Sequence, residues 1–251
     1  MNPAGNSILV TGGGSGIGRA LAEQLHKLGN EVIIAGRRRS VLDETTAANP
    51  GIKSLVLDIE HASGIRSFVP ELLEQFPKLN VVINNAGIMR AENLLDQPED
   101  LADAEAIVAT NLLGPIRLTA ALIPHFKQQP NATIINVSSG LGFVPLALTP
   151  TYCATKAAIH SYSQSLRHQL RDTKIEVLEI IPPYVQTDLM KGASDPRAMP
   201  LKDFIAETIA ILTSQPTPPE IATERVKFLS QAASRGEYEK VFGMLNAQHF
   251  E

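Results

Sequence analysis

Tyr152 and Lys156 stand four residues apart at the start of a run compatible with helix, Ala154–Arg171. Helical spacing puts both side chains on one face, with the ammonium near the phenol. A free tyrosine titrates near 10, and a neighbouring positive charge stabilises the phenolate, so Lys156 is expected to move Tyr152 toward working pH and make it a usable acid and base. Ser139 lies 13 residues before Tyr152, just past the apolar run Thr133–Val137. Its hydroxyl can bond a substrate oxygen and stabilise the charge of a developing alkoxide. A tyrosine and a lysine at this spacing are usually only a surface pair. The serine upstream and a glycine-rich turn near the amino terminus argue for chemistry.

That turn is TGGGSGIG, residues 11–18, with glycines at 12, 16 and 18 and a helix-forming run directly after it. The spacing is not GxGxxG, but it meets the same demands: a tight turn, close backbone approach to a pyrophosphate, and a phosphate at a helix amino terminus. About 24 positions beyond Gly12 comes Gly-Arg-Arg-Arg, 36–39. A site for NAD places an acid at the end of the second strand for the ribose 2′-hydroxyl, and one for NADP places a cation there for the 2′-phosphate. Gly36 and Arg37, with Arg38 as helper, therefore point to NADP(H). The bland alternative is a solvated basic loop. Arg39 is the weakest contributor, because adjacent residues leaving a strand point different ways. Cys153 reads as a small buried residue and Ser138 as packing at a strand end. The six histidines lack metal-ligand spacing, so no metal is assigned.

Positioning these residues takes repeated βαβ units. Short apolar runs at Ser7–Val10, Val32–Ala35, Lys53–Val56, Val81–Asn84, Thr133–Val137 and Glu176–Ile181 read as strands covered on both faces. Helical patterns fall at Gly18–Leu28, Val41–Ala47, Ala62–Gln75, Asp100–Gln128 and Ala154–Arg171. The expected fold is α/β, a doubly wound Rossmann-type parallel sheet of about six strands within one domain, 1–251. Asp195–Pro219, with five prolines, reads as loop and short helix, and Glu220–His249 as a helical tail without a strand. The 251 residues are 44% hydrophobic and 19% charged, which excludes disorder, and a net charge of −4 gives no general pull toward nucleic acid or anionic membrane. One cysteine, no amino-terminal signal pattern and no run of about 18 uncharged apolar residues point to a soluble cytoplasmic protein.

The ordered motifs resemble those of the short-chain dehydrogenases/reductases over roughly residues 7–190. TGGGSGIG is similar to that family's cofactor turn, NNAG at 84–87 to its fourth-strand motif, and Asn111 in TNLLG to its structural and catalytic asparagine. Ser139 is similar to its catalytic serine, and Tyr152-x-x-x-Lys156 to its signature pair. PPYVQTDL and the helical tail look most like the DltE-type oxidoreductase branch.

The resemblance implies an NADP(H)-dependent oxidoreductase interconverting a ketone or aldehyde and an alcohol. Gly12, Ser15, Gly16, Ile17 and Gly18 would hold the pyrophosphate, Asp58 and Ile59 the adenine end, and Asn85, Ala86 and Gly87 the passing cofactor. Lys156 would also bond the nicotinamide ribose, and Asn111 would hold a water linking Lys156 to solvent. Pro182, Val185 and Thr187 match the PGxVxT segment, with Pro183 where the family has glycine. Residues rimming the substrate by analogy are Met89, Leu141, Phe143, Pro145, Leu148, Tyr184 and Met190, an apolar set, with Arg90 able to face an anion. Two alternatives compete. Nucleotide-sugar epimerases share YxxxK but carry TGxxGxxG and a longer carboxy-terminal domain, and non-catalytic NADP-binding sensors lose the tyrosine or lysine. The absence of a GxxxxVDGG-like ending implies a homodimer through Asp100–Gln128 and Ala154–Arg171 rather than a tetramer. A tail strand extending the sheet would count against this.

Overall fold

The computed structural model describes residues 1–94, 101–189 and 195–247. Seven parallel strands form one sheet in the order β3-β2-β1-β4-β5-β6-β7. They are β1 (Ser7–Thr11), β2 (Glu31–Gly36), β3 (Lys53–Val56), β4 (Leu79–Asn84), β5 (Ala132–Val137), β6 (Ile175–Ile181) and β7 (Glu220–Ala222). The helices are α1 (Gly16–Lys27), α2 (Arg39–Ala48), α3 (Ala62–Gln75), α4 (Ala102–Val108), α5 (Gly114–Phe126), α6 (Pro150–Gln169), α7 (Leu201–Leu212), α8 (Lys227–Ser230) and α9 (Tyr238–Asn246). Alternate strand residues feed two cores, one on each face of the sheet, as the two-residue period of a strand requires. Ile8, Val10 and Ile34 pack with Leu21 and Leu25 of α1 and Phe204 of α7. Leu9, Ile33 and Val82 pack with Phe68 and Leu72 of α3 and Leu118 and Phe126 of α5.

The strand order reverses between β1 and β4, where connections leave to opposite sides and open a crevice at the carboxyl ends. That crevice is where the chemistry-bearing residues converge.

Asp100 lies outside the described residues, and the long helix expected over Asp100–Gln128 runs from Ala102 to Phe126, with a π-helical turn at Ala109–Leu113 between α4 and α5. Two expectations are corrected. The segment expected to be loop and short helix contains the twelve-residue α7, whose Phe204, Ile205 and Leu212 are buried. The tail expected to lack a strand carries β7, with Ile180 opposite Ile221 and the Ile221 side chain wholly buried. Three residues starting at a glutamate carry no legible period, and it is the free edge of β6 that makes them a strand. Beyond β7, a 3₁₀ turn at Glu224–Val226 runs into α8. The strandless-tail argument for a dimer falls with this strand. Ala102–Phe126 is apolar enough to cross a membrane by length and composition, but its Ile107, Leu118, Leu122 and Phe126 are buried in the cores, as in a core helix.

Candidate active site

At the end of β1 the chain turns through Gly12, whose φ of +67° is left-handed. A Cβ on Gly12 would lie 2.9 Å from Ala86 Cα, and one on Gly18 would overlap the Asn85 amide and the Gly12 carbonyl. The NNAG segment braces the turn from behind. Asn85 donates through Nδ2 to the Thr11 carbonyl at 2.9 Å, and Thr11 Oγ1 accepts from the amides of Asn85 and Ala86 at 3.0 and 3.1 Å. Asn84 donates instead to the side chains of Thr119 and Asn136 inside the core, so of this pair it is Asn85 that organises the backbone of the turn. Ser15, at the N-cap of α1, makes no side-chain cap bond, and the first turn holds no acid. A helix start left uncapped, beside glycines that admit no side chain, fits an anionic pyrophosphate. Thr187 stands opposite, its Cγ2 3.5 Å from where a Gly16 Cβ would be.

A cavity of about 1090 Å³ runs from this turn to the ends of β5 and β6. Lining it are the turn residues Gly12, Ser15, Gly16, Ile17 and Gly18, then Arg37, Arg38 and Ile59 at one end and Asn85, Ala86 and Gly87 along the middle. Pro182, Val185 and Thr187 line it too, with Ser139, Tyr152 and Lys156 at the reacting end. Arg37 Nη1 is 3.3 Å from Glu60 Oε2, and Arg39 is turned to Asp43, out of the cavity. Asp58 does not line the cavity. It accepts from the Glu60 amide and faces His61, leaving Leu57 and Ile59 at the wall. The substituted Pro183 is accommodated: Val185 bridges Met199, and the Pro182 carbonyl accepts from Gly140 N.

Tyr152 and Lys156 occupy the first two turns of α6 and are buried at 6% and 5% exposure. Pro150 at the amino end suits that helix start. Lys156 Nζ donates to the Val137 carbonyl at 2.8 Å and lies 5.6 Å from the centroid of the Tyr152 ring. Burial pushes the phenol up to about 12, with a Ser139 hydrogen bond working the other way. The expected downward shift is therefore not the balance struck here, because desolvation of a buried phenolate outweighs the partners around it. Burial also lowers Lys156 to about 8, against the pull of Glu179. Ser139 caps the following 3₁₀ turn by accepting from Leu141 N at 3.1 Å.

Asn111 sits in the π turn rather than on the cavity wall. Its amide holds Ile88 from both sides, accepting from the amide and donating to the carbonyl, each at 2.8 Å. Such a turn inside a helix is often found at functional sites. Met89, Leu141, Leu148 and Tyr184 of the expected apolar rim line the cavity. Phe143 does not; it packs on His160 with centroids 4.5 Å apart. Pro145 is also off the wall, and Met190 lies outside the described residues. Arg90 is 3.9 Å from Asp103. Sequence reasoning missed Leu229, Met244 and Leu245, which the tail brings to the substrate end. The apolar period of Tyr238–Asn246 is the one signal that could have found them.

A doubly wound sheet with a braced glycine turn and a Ser-Tyr-Lys cluster in one crevice defines a nucleotide-cofactor oxidoreductase. The family model for short chain dehydrogenases matches residues 6–198, and the chain belongs to that family. It is similar to the uncharacterized oxidoreductase DltE of Bacillus subtilis, 39% identical over 251 residues and 99% of each chain. It is 31% identical over 191 residues to the NADP-dependent 3-hydroxy acid dehydrogenase of Schizosaccharomyces pombe, covering 73% of each. Among solved structures, the 3-ketoacyl-(acyl-carrier-protein) reductase from Brucella melitensis, complexed with NADH, superposes with a TM-score of 0.78 at 27% identity, covering 87% of this chain and 95% of the other.

Proposed function

We propose that the protein is an NADP(H)-dependent oxidoreductase of one domain that interconverts a ketone or aldehyde and an alcohol, with an uncharged carbonyl bearing apolar groups as substrate. The observation that carries the reading is that Ser139, Tyr152 and Lys156 share one cavity with the Gly12–Gly18 turn. When bound, the nicotinamide supplies or accepts the hydride. Ser139 bonds the substrate oxygen and orients it. Tyr152, a protonated phenol at neutral pH because burial raises it, gives its proton to the forming alkoxide. The Lys156 ammonium, 5.6 Å from the Tyr152 ring, would stabilise the phenolate that remains and would also hold the nicotinamide ribose. Asn111, its amide committed to Ile88, would hold the relay water by its main chain.

Arg37, half exposed at the far end and paired with Glu60, would hold a 2′-phosphate there. This is what favours NADP(H), since related proteins are described with NADP and with NADH. Asp58 would serve the adenine through its backbone neighbours. A sensor or scaffold role is less well supported, because it would not need the buried Tyr152 and Lys156 pair. We place the protein in the cytoplasm, without nucleic-acid or membrane partners. The test is a panel of ketones with purified protein, followed by loss of NADPH absorbance. No turnover with any of them would overturn the reading.

A further inference from the structure

Glu179 on β6 has no exposed surface. A carboxylate in such a place is costly unless paired and hydrogen-bonded. Ser138 Oγ donates to its Oε1 at 2.5 Å, and His160 Nδ1 lies 2.9 Å from Oε2. These two partners are the neighbours of the reacting groups. Ser138 sits between Ser139 and Val137, whose carbonyl holds Lys156 Nζ. His160 follows Lys156 by one helical turn on α6 and is itself fixed by Phe143 and by Gln164 Nε2 at 3.1 Å. Lys156 has the Tyr152 ring beside it at 5.6 Å and feels the charge of Glu179; around Glu179 itself the titratable groups are His160 on α6 and Glu220 on β7, whose carboxylate lies within 4.8 Å of the His160 and Glu179 ligand atoms.

We propose that Glu179 is a positioning residue: a buried countercharge for Lys156 that, through Ser138 and His160, also locks the end of β5 against α6. Without it the ammonium is buried with only a carbonyl and an aromatic face for company. With it the protonated lysine is favoured, against the desolvation that lowers it to about 8. The same bonds hold the Ser139 hydroxyl and the Tyr152 phenol in register across strand and helix. This rests on the oxidoreductase reading above.

The test is the pH profile of kcat/KM for NADPH-driven reduction in the wild type, Glu179→Gln and Glu179→Asp. Removing a negative charge lowers the pKa of every group it faces, so the basic limb of Glu179→Gln should move to lower pH by about one unit. Glu179→Asp, which keeps the charge, should hold the limb near its wild-type position. A Glu179→Gln enzyme that loses rate with an unmoved limb makes Glu179 only a brace and overturns the proposal. Urea unfolding of Glu179→Gln, Lys156→Met and the double variant decides independently of turnover. Glu179→Gln should cost less stability in the Lys156→Met background, whereas additive effects would overturn the countercharge. Should Glu179→Gln fail to fold, a folded double variant supports the proposal and an unfolded one overturns it. If the wild type turns over no carbonyl, the function reading fails and the unfolding cycle still decides this inference.

Discussion

Asn246, at the end of α9, grips the loop before α6 at two points: its Oδ1 accepts from Ala147 N at 2.7 Å and its Nδ2 donates to the Pro145 carbonyl at 3.1 Å. The loop is packed from below as well, Val144 sharing a small core with Ala232 and Val241. The tail thereby closes the substrate end of the cavity, where Met244 and Leu245 reach the wall. Asn246→Ala leaves a backbone donor and an acceptor short and should cost about 1–3 kcal/mol in urea unfolding. KM for the carbonyl should rise several-fold while KM for NADPH stays put. Steady-state kinetics against both substrates check this, and equal changes in the two KM values would refute it.

Tyr152→Phe should remove nearly all turnover and leave NADPH affinity within about twofold, because the hydroxyl serves a proton transferred only in the transition state. General acid catalysis is worth roughly 100-fold or more, so retention of more than about a tenth of kcat would end the assigned role. Fluorescence titration with NADPH separates binding from chemistry.

Arg37→Ala should weaken NADPH and spare NADH. A charged bond to phosphate contributes roughly 1.5–3 kcal/mol when shielded, and Arg37 is half exposed, so the lower end applies and the loss in affinity is about tenfold. The salt dependence of NADPH binding should weaken as well. A wild type that prefers NADH in kcat/KM would make the three arginines a solvated loop.

Lys156→Met should be inactive but more stable at pH 7. The folded protein holds Lys156 near 8 where 10.5 is ordinary, with burial as the cause. Between those values the unfolded chain binds more protons, so this group makes stability rise with pH across about 8 to 10.5, and its cost is full below 8. The cost is on the order of 3 kcal/mol, offset by about 1–2 kcal/mol from the orphaned Val137 carbonyl. The variant should gain about 1–2 kcal/mol at pH 7, a gain that fades as pH rises toward 10. Chemical denaturation at pH 7 and pH 9.5 checks the sign, and a destabilised variant at pH 7 would contradict it.

Much of the site was legible because its residues obey local rules. The glycines at 12 and 18 are dictated by a turn that admits no Cβ, Gly16 by its φ of +52°, and Tyr152 and Lys156 by the pitch of one helix. Five of the seven strands announce themselves as short, apolar, β-branched runs, since a strand buried on both faces has no polar side to show, and the edge strand β3, only partly covered, shows as the weaker run Lys53–Val56. Other features depended on contacts between distant segments. β7 exists because β6 offers an unpaired edge, and Ile221 is buried only by that pairing. Asn111 holds Ile88 only because a π turn rotates it there. The phenol of Tyr152 is raised rather than lowered because burial, a sum over all surrounding elements, outweighs the Ser139 hydrogen bond. Glu179 reads in the sequence as a charge interrupting an apolar strand. Only the approach of Ser138 from β5 and His160 from α6 makes it a satisfied buried carboxylate beside the reacting groups, since burial and pairing are properties of the assembled fold and not of spacing along one segment.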